Sequence, residues 1–188
     1  MRKTRQEESK LQVRKATRND VPGIVWVSEK SILPGEDLGF GGNSPFHDTS
    51  RLASLWEEPN IVRGEEVLVA EMDARIVGCV TMEDRGAELE LVNIDVPLEL
   101  QGRGIGTQLV RSIEERARIE GKQAVTLGTS RNVEGVAWKS LPWWQHLGYR
   151  ITHEEENEWT RSIGPGAREI RMRKELDLEQ PPITVQEE

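Results

Sequence analysis

The stretch from Glu88 to Glu120 constrains this chain more than any other, because it reads as a strand, a glycine-rich turn and an amphipathic helix in unbroken succession. The strand runs from Glu88 to Val96. The turn is Gln101-Gly102-Arg103-Gly104-Ile105-Gly106. Ile105, Leu109, Val110, Ile113 and Ala117 then fall on one face of a helical period. An apolar run from Lys122 to Gly128 follows, and the order strand, helix, strand implies a right-handed parallel crossover. Three glycines before a helix let its backbone come close to a ligand. First-turn N–H groups have no partner inside the helix, and the helix dipole favours negative charge there. The turn is therefore a candidate phosphate cradle with Arg103 as an added cation. A glycine-rich turn with no ligand is the plainer alternative.

Spacing separates the anion-binding designs. A P-loop needs Lys-Ser or Lys-Thr after its last glycine, and Thr107-Gln108 stands there. A dinucleotide fingerprint needs its third glycine where Thr107 is, and an acidic residue about 20 positions on. The region around Val125-Thr126-Leu127 offers none. What remains is Gln-x-x-Gly-x-Gly, Gln101 to Gly106, behind a strand ending Ile94-Asp95-Val96.

The 188 residues suit one domain with a single core. No apolar run approaches the roughly 18 residues of a membrane span. Met1 to Glu8 lacks the apolar centre of a secretory signal, so a cytoplasmic protein with no membrane partner is expected. The single cysteine, Cys79, precludes an internal disulfide and sits in an apolar strand-like run as a small core residue. A net charge of −8 argues against general nucleic-acid binding. That charge suits a cationic amine substrate, or solubility alone. His47, His146 and His153 are scattered without metal-ligand spacing, so no metal is expected.

Residues 1–10 read as a loose charged tail and residues 177–188 as a disordered acidic one, leaving one domain over residues 11–176. Leu11 to Ala16 alternates as a first strand. Asn19-Asp20 offers a cap, and Pro22 a first turn, for a helix through Ser31. Leu33 to Asp48 is a long turn-rich loop of the functional or mobile kind, and Asp48 or Thr49 could cap a short helix carrying Leu52, Leu55 and Trp56. Val67–Glu71 and Arg75–Glu83 read as strands joined by a hairpin turn. In the strand Glu88 to Val96, apolar residues move from odd positions (Leu89, Leu91) to even ones (Val92, Ile94, Val96). Either a β-bulge lies near Leu91–Asn93, or the strand is buried on both faces. Thr129 to Lys139 reads as loop. Ser140-Leu141-Pro142 opens a helix that stops at Gly148, Tyr149 to His153 begins a strand, Glu154 to Glu158 is solvated, and Glu169 to Leu176 is the last strand.

This element order, with Gln-x-x-Gly-x-Gly at its centre, resembles the GNAT N-acetyltransferases. A second stretch strengthens the resemblance: Leu141-Pro142-Trp143-Trp144-Gln145-His146-Leu147-Gly148-Tyr149 is similar to that family's late helix, commonly ending Phe-Tyr-x-x-Leu-Gly-Phe. The resemblance implies a mixed α/β fold: a central, mostly antiparallel twisted sheet with one parallel strand pair, flanked by about four helices. It implies that acetyl-CoA is the acetyl donor and that a primary amine of a small molecule or protein attacks it directly in a ternary complex. The backbone of Ile94 and Val96 should bond the pantetheine arm as an added strand. The amides of Gly102, Arg103, Gly104, Ile105 and Gly106, with Thr107, should hold the pyrophosphate, and Gln101 should contact it or brace the turn. Glu90 aligns with the glutamate base of the family's histone acetyltransferases. Burial would raise its pKa, or it would act through water. Glu88 and Glu90 as surface ion-pair partners is the alternative. Homodimers are common in the family, and nothing in the sequence decides between monomer and dimer.

The sequence departs from the family at Trp144, which stands where the tyrosine general acid usually is. An indole N–H donates a hydrogen bond but is no acid at working pH. Either the thiolate leaves with water supplying its proton, or a hydroxyl such as Ser140 substitutes, or the protein is a non-catalytic acyl-CoA-binding or regulatory module. Trp144, with Trp138 and Trp143, could wall an amine pocket by cation–π contact, or could simply pack in the core.

Overall fold

The computed structural model describes residues 10–31 and 65–177. The strands are β1 (Gln12–Lys15), β2 (Glu65–Met72), β3 (Arg75–Asp84), β4 (Glu88–Asp95), β5 (Ala124–Arg131), β6 (Arg150–Glu155) and β7 (Arg168–Glu175). They form one sheet in the order β1-β2-β3-β4-β5-β7-β6. Neighbours are antiparallel except β4 and β5, which are parallel. Four α-helices accompany them among the described residues: α1 (Val21–Lys30), α2 (Ile105–Ile119), α3 (Leu141–His146) and α4 (Glu158–Ile163). This is the mixed α/β architecture expected, with its single parallel pair.

Strand alternation divides the core between the two faces of the sheet. Leu68 and Ala70 of β2 join one cluster, with Leu89, Leu91, Val125, Leu127, Ile170 and Met172, and α2 and α3 cover that face. Val67 and Val69 join the other, with Cys79, Ile24 and Val27, under α1. Ile105, Leu109, Val110, Ile113 and Ala117 are all buried, as the helical period predicts. Each large apolar side chain contributes about 1.5–3 kcal/mol on burial, so packing rather than helix propensity holds α2 in place. Gly78 permits the close approach: a Cβ there would lie 2.9 Å from Ile105 Cγ2. Between β2 and β3, Asp73 and Ala74 take φ of 52° and 58°, the left-handed pair that matches strand twist in a two-residue hairpin.

The register of β3 on β4 decides between the two readings of the parity change. Thr81 pairs with Asn93 and Met82 with Leu91, so Val92 is an extra residue in β4 and is 43% exposed. The strand is bulged, not buried on both faces. Beyond the bulge Asn93, Ile94 and Asp95 still pair with β3, but the parallel ladder to β5 ends at Leu91–Leu127. The sheet therefore splits between β4 and β5.

Several expectations need correction. β5 continues through Thr129 to Arg131, pairing with β7 up to Arg168, so the loop begins later than Thr129. Glu154 and Glu155 belong to β6, and Glu154 is held by Arg131 Nη2 at 2.8 Å rather than left in solvent. The sequence reading missed α4, which Asn157 opens with a capping box: its Oδ1 accepts from Thr160 N at 3.0 Å, and Thr160 Oγ1 accepts from Asn157 N at 2.9 Å. Asp20 precedes α1 but does not cap it. Its carboxylate accepts from Thr17 N at 2.7 Å and from Arg14 at 2.8 Å. Ser140 likewise makes no side-chain cap to α3. The expected short helix through Leu52 to Trp56, the expected loop Leu33–Asp48, residues 1–9 and residues 178–188 lie outside the described residues. Among the described residues no helix is long and apolar enough to cross a membrane, and no group of side chains is set to hold a metal ion.

Candidate functional site

The split in the sheet opens directly beside the glycine-rich turn. Past Leu91, β4 has one edge bonded to β3 and the other turned toward the gap. An extended ligand with its own amides can satisfy such an edge as another strand would. Ile94 and Val96, both half-buried, stand along it. A short 3-10 turn over Leu98–Leu100 then leads into the glycine-rich segment.

The turn has the geometry of an open cradle. Gly102 and Gly104 take φ of 75° and 83°, and nothing lies within 4 Å of a Cβ built on either. Gly104 is the residue before α2 and carries no side chain to cap it. The helical ladder starts with Gln108 N donating to Gly104 O at 3.0 Å, so the N–H groups of Ile105, Gly106 and Thr107 precede it. The Ile105 side chain is buried in the core, and Arg103 is exposed. Gln101 braces the turn: its Nε2 donates to Val96 O at 2.9 Å. The same amide reaches Ser31 O at 3.5 Å, and Ser31 Oγ donates to Asp95 Oδ1 at 3.0 Å. The end of α1, the end of β4 and the glycine turn are thus one hydrogen-bonded unit.

Glu90 lies at the closed end of the split, on the face away from α2. It is neither free nor raised in pKa. Burial pushes its carboxyl up, but hydrogen bonds and charge from Arg171 and Arg85 outweigh that and hold it below the usual carboxylate range. Arg171 Nη2 and Arg85 Nε each stand 2.7 Å from it. The expected upward shift is therefore corrected: two guanidiniums keep Glu90 ionised. Glu88 forms an ion pair with Arg173. Thr81, on the same face and paired in register with Asn93, has its hydroxyl buried and without a hydrogen-bond partner among the described residues.

Trp144 does not line a pocket. It is 3% exposed and packs into the core, its ring centroid 4.4 Å from that of Trp143 and 5.5 Å from that of Tyr149. The helix that carries it ends in a Schellman motif. Tyr149 N donates to Trp144 O at 3.1 Å and Gly148 N to Gln145 O at 3.0 Å, with Gly148 at φ 92°. That motif turns the indole and the phenol inward onto each other. Trp143 is half-buried, packed against the core cluster and close to Gly106 at the start of α2. Tyr149 is also internal: its hydroxyl donates to Glu114 Oε1 at 3.2 Å, and burial together with the Glu114 charge pushes its pKa up. The residues that sequence reasoning missed are Arg85, Arg171 and Glu169. The alternation of Glu169, Arg171 and Arg173 with Ile170 and Met172 was the only sequence signal for the two β7 residues, and Arg85, in the turn between β3 and β4, had none.

Comparison with known proteins agrees with this geometry. The family model described as an acetyltransferase (GNAT) domain matches residues 63–151. The uncharacterized protein YdhI of Bacillus subtilis is 31% identical over 98 residues, a match that spans 50% of this chain and 57% of that protein. Among solved structures, a putative GNAT-family acetyltransferase from Desulfovibrio desulfuricans superposes with a TM-score of 0.67 at 17% identity, covering 89% of this chain and all (100%) of the other. The PaiA N-acetyltransferase of Thermoplasma acidophilum, solved with coenzyme A, gives 0.66 at 14%, covering 88% and 99%. The ribosomal-protein-S18-alanine N-acetyltransferase of Escherichia coli gives 0.65 at 14%, covering 93% and 99%. At these identities the structural likenesses speak for the fold.

Proposed function

We propose that this chain, which the GNAT acetyltransferase domain model matches over residues 63–151, transfers the acetyl group of acetyl-CoA to a primary amine of a small molecule or protein, by direct attack in a ternary complex. The observation that carries the reading is the junction of two features. The uncapped first turn of α2 lies where the free edge of β4 ends, so one ligand can place a diphosphate on the amides and an extended arm along the strand. Acetyl-CoA has that shape. On this reading Gly102 to Thr107 receive the pyrophosphate, Arg103 adds charge, and Ile94 and Val96 bond the arm, with Gln101 as brace.

The reaction needs the amine to lose its proton before it attacks. Glu90, ionised and clamped, serves this proposal as a base acting through water. Trp144 is too deeply packed to donate to a leaving thiolate, and Tyr149 is engaged with Glu114. On this reading the thiolate takes its proton from water, with the Ser140 hydroxyl as the alternative donor.

Isothermal titration with acetyl-CoA, ATP and NAD, followed by thiol release with a panel of amines, tests this. Acetyl-CoA alone should bind, and amines should accelerate thiol release, with a loss of tenfold or more in Glu90→Gln. Binding with no amine-dependent release would leave a non-catalytic acyl-CoA-binding module. Absence of acetyl-CoA binding would end the proposal.

A further inference from the structure

We infer that Glu169 is the residue that meets the acceptor amine, which rests on the acetyltransferase reading above. Glu169 belongs to β7 and stands opposite Ser130 of β5 in the register. Its carboxylate nonetheless leans back over Gly128, where a Cβ would overlap it. Gly128 is the first residue of β5 beyond the last pair with β4, Leu91–Leu127. The carboxylate therefore lies at the apex of the split, on the face that α2 does not cover. A strand-like arm laid along β4 from the glycine turn has its far end at that apex.

Neighbouring side chains hold Glu169 in place, its own side chain 12% exposed. Arg171 Nη1 donates to its Oε1 at 2.8 Å, and Asn157 Nδ2 donates to its Oε2. The same Arg171 reaches Glu90 through Nη2 at 2.7 Å, so one guanidinium spaces the two carboxylates across the closed end of the split. A Cβ at Gly128 would also lie 3.2 Å from Arg171 Nη1, so both charged groups occupy the space that a side chain would fill. The buried hydroxyl of Thr81, unpartnered among the described residues, is a second and independent sign that this face is built for a polar guest. Thr81 lies on the same face of β3 as Glu83, the register partner of Glu90. Orphaned polar groups of this kind are uncommon in a packed sheet.

In this arrangement Glu169 accepts a hydrogen bond from the incoming ammonium and orients its nitrogen toward the thioester carbon. Glu90 takes the proton through water. The two carboxylates thus divide binding from proton transfer.

The test uses n-butylamine as acceptor and reads thiol release from acetyl-CoA in wild type, Glu169→Gln, Glu169→Asp and Gly128→Ala. Glu169→Gln and Gly128→Ala should each raise the KM for butylamine, or lower kcat/KM where saturation is not reached, by tenfold or more. Neither should move the Kd for acetyl-CoA by more than twofold. Glu169→Asp should recover part of the loss. A purely structural role would shift acetyl-CoA binding and melting temperature together with the amine parameter, and that outcome overturns the inference. So does wild-type-like kcat/KM in Glu169→Gln, or acetyl-CoA binding by wild type with no butylamine-dependent release. Failure of wild type to bind acetyl-CoA overturns the acetyltransferase reading itself.

Discussion

The indole of Trp143 lies against the first turn of α2, so that a Cβ on Gly106 would sit 3.4 Å from its Cζ2 and 3.8 Å from Val96 Cγ2. Gly102 and Gly104 are glycines because their backbone is left-handed, whereas Gly106 is one because three elements converge on it. The crevice between Val96, Gly106 and Trp143 is where a bound arm would leave the diphosphate. Gly106→Ala should weaken acetyl-CoA binding about tenfold, or about 1.4 kcal/mol. The contact is near ordinary van der Waals distance, so Tm should stay within about 2 °C. Calorimetric titration and a thermal scan measure both.

Tyr149 is the single tyrosine of the chain, yet it points away from the cleft into a buried cluster. Its hydroxyl meets Glu114, which also takes Lys174 Nζ at 2.8 and 2.9 Å. Tyr149→Phe removes one hydrogen bond and leaves Glu114 with its lysine. The expected loss is about 1 kcal/mol of stability in urea unfolding. Amine-dependent kcat should stay within about twofold, and a large fall in kcat at unchanged acetyl-CoA affinity would instead make Tyr149 the missing acid.

The glycine turn and the helix behind it were legible in the sequence because each of their parts is local. Glycines at 102, 104 and 106 precede a five-residue apolar face, and the parity change between Leu91 and Val92 gave away a bulge as one of two readings. The late helix was legible too, with Pro142 and Gly148 marking its ends. What stayed hidden depends on register and rotation. Whether Trp143 or Trp144 is the more deeply buried is set by how a six-residue helix docks, and two adjacent tryptophans give no period to settle it. The ion-pair reading of Glu90 had no named partner because Arg171 comes from β7, and only the sheet order brings the two together. Glu154 looked solvated inside an acidic run because its arginines, Arg131 and Arg168, lie in other strands.

The Glu90–Arg171–Glu169 bridge also sets a pH dependence. With its folded pKa depressed, Glu90 adds stability that is complete above its unfolded pKa, near 4.3. That contribution is lost as pH falls through the lower folded value. Arg171→Met removes one of the two guanidiniums that oppose the effect of burial and leaves Arg85, so the carboxyl of Glu90 rises from its depressed value. At pH 7 the variant should be destabilised by about 2–3 kcal/mol. The gap from wild type should narrow as pH falls below about 4, where the wild-type contribution of Glu90 is lost. Urea titrations from about pH 7 to below 4 measure it, and a constant gap would mean that Glu90 does not sense Arg171.

Val92 offers the sharpest separation of fold from ligand binding. It is the extra residue that lets Asn93, Ile94 and Asp95 keep their faces against β3 while β4 turns away from β5. Deleting it leaves the alternation of Leu91, Asn93, Ile94 and Asp95 intact, so every side chain stays on its own face. The strand loses its kink, however, and its free edge can zip onto Gly128 and Thr129 of β5. The deletion variant should keep a cooperative thermal transition, with Tm equal to or above that of wild type. The upward shift that acetyl-CoA produces in wild type should vanish, since a ligand raises Tm only through a site that the folded state presents. A deletion variant that still shows the full shift would mean that the arm does not lie along β4.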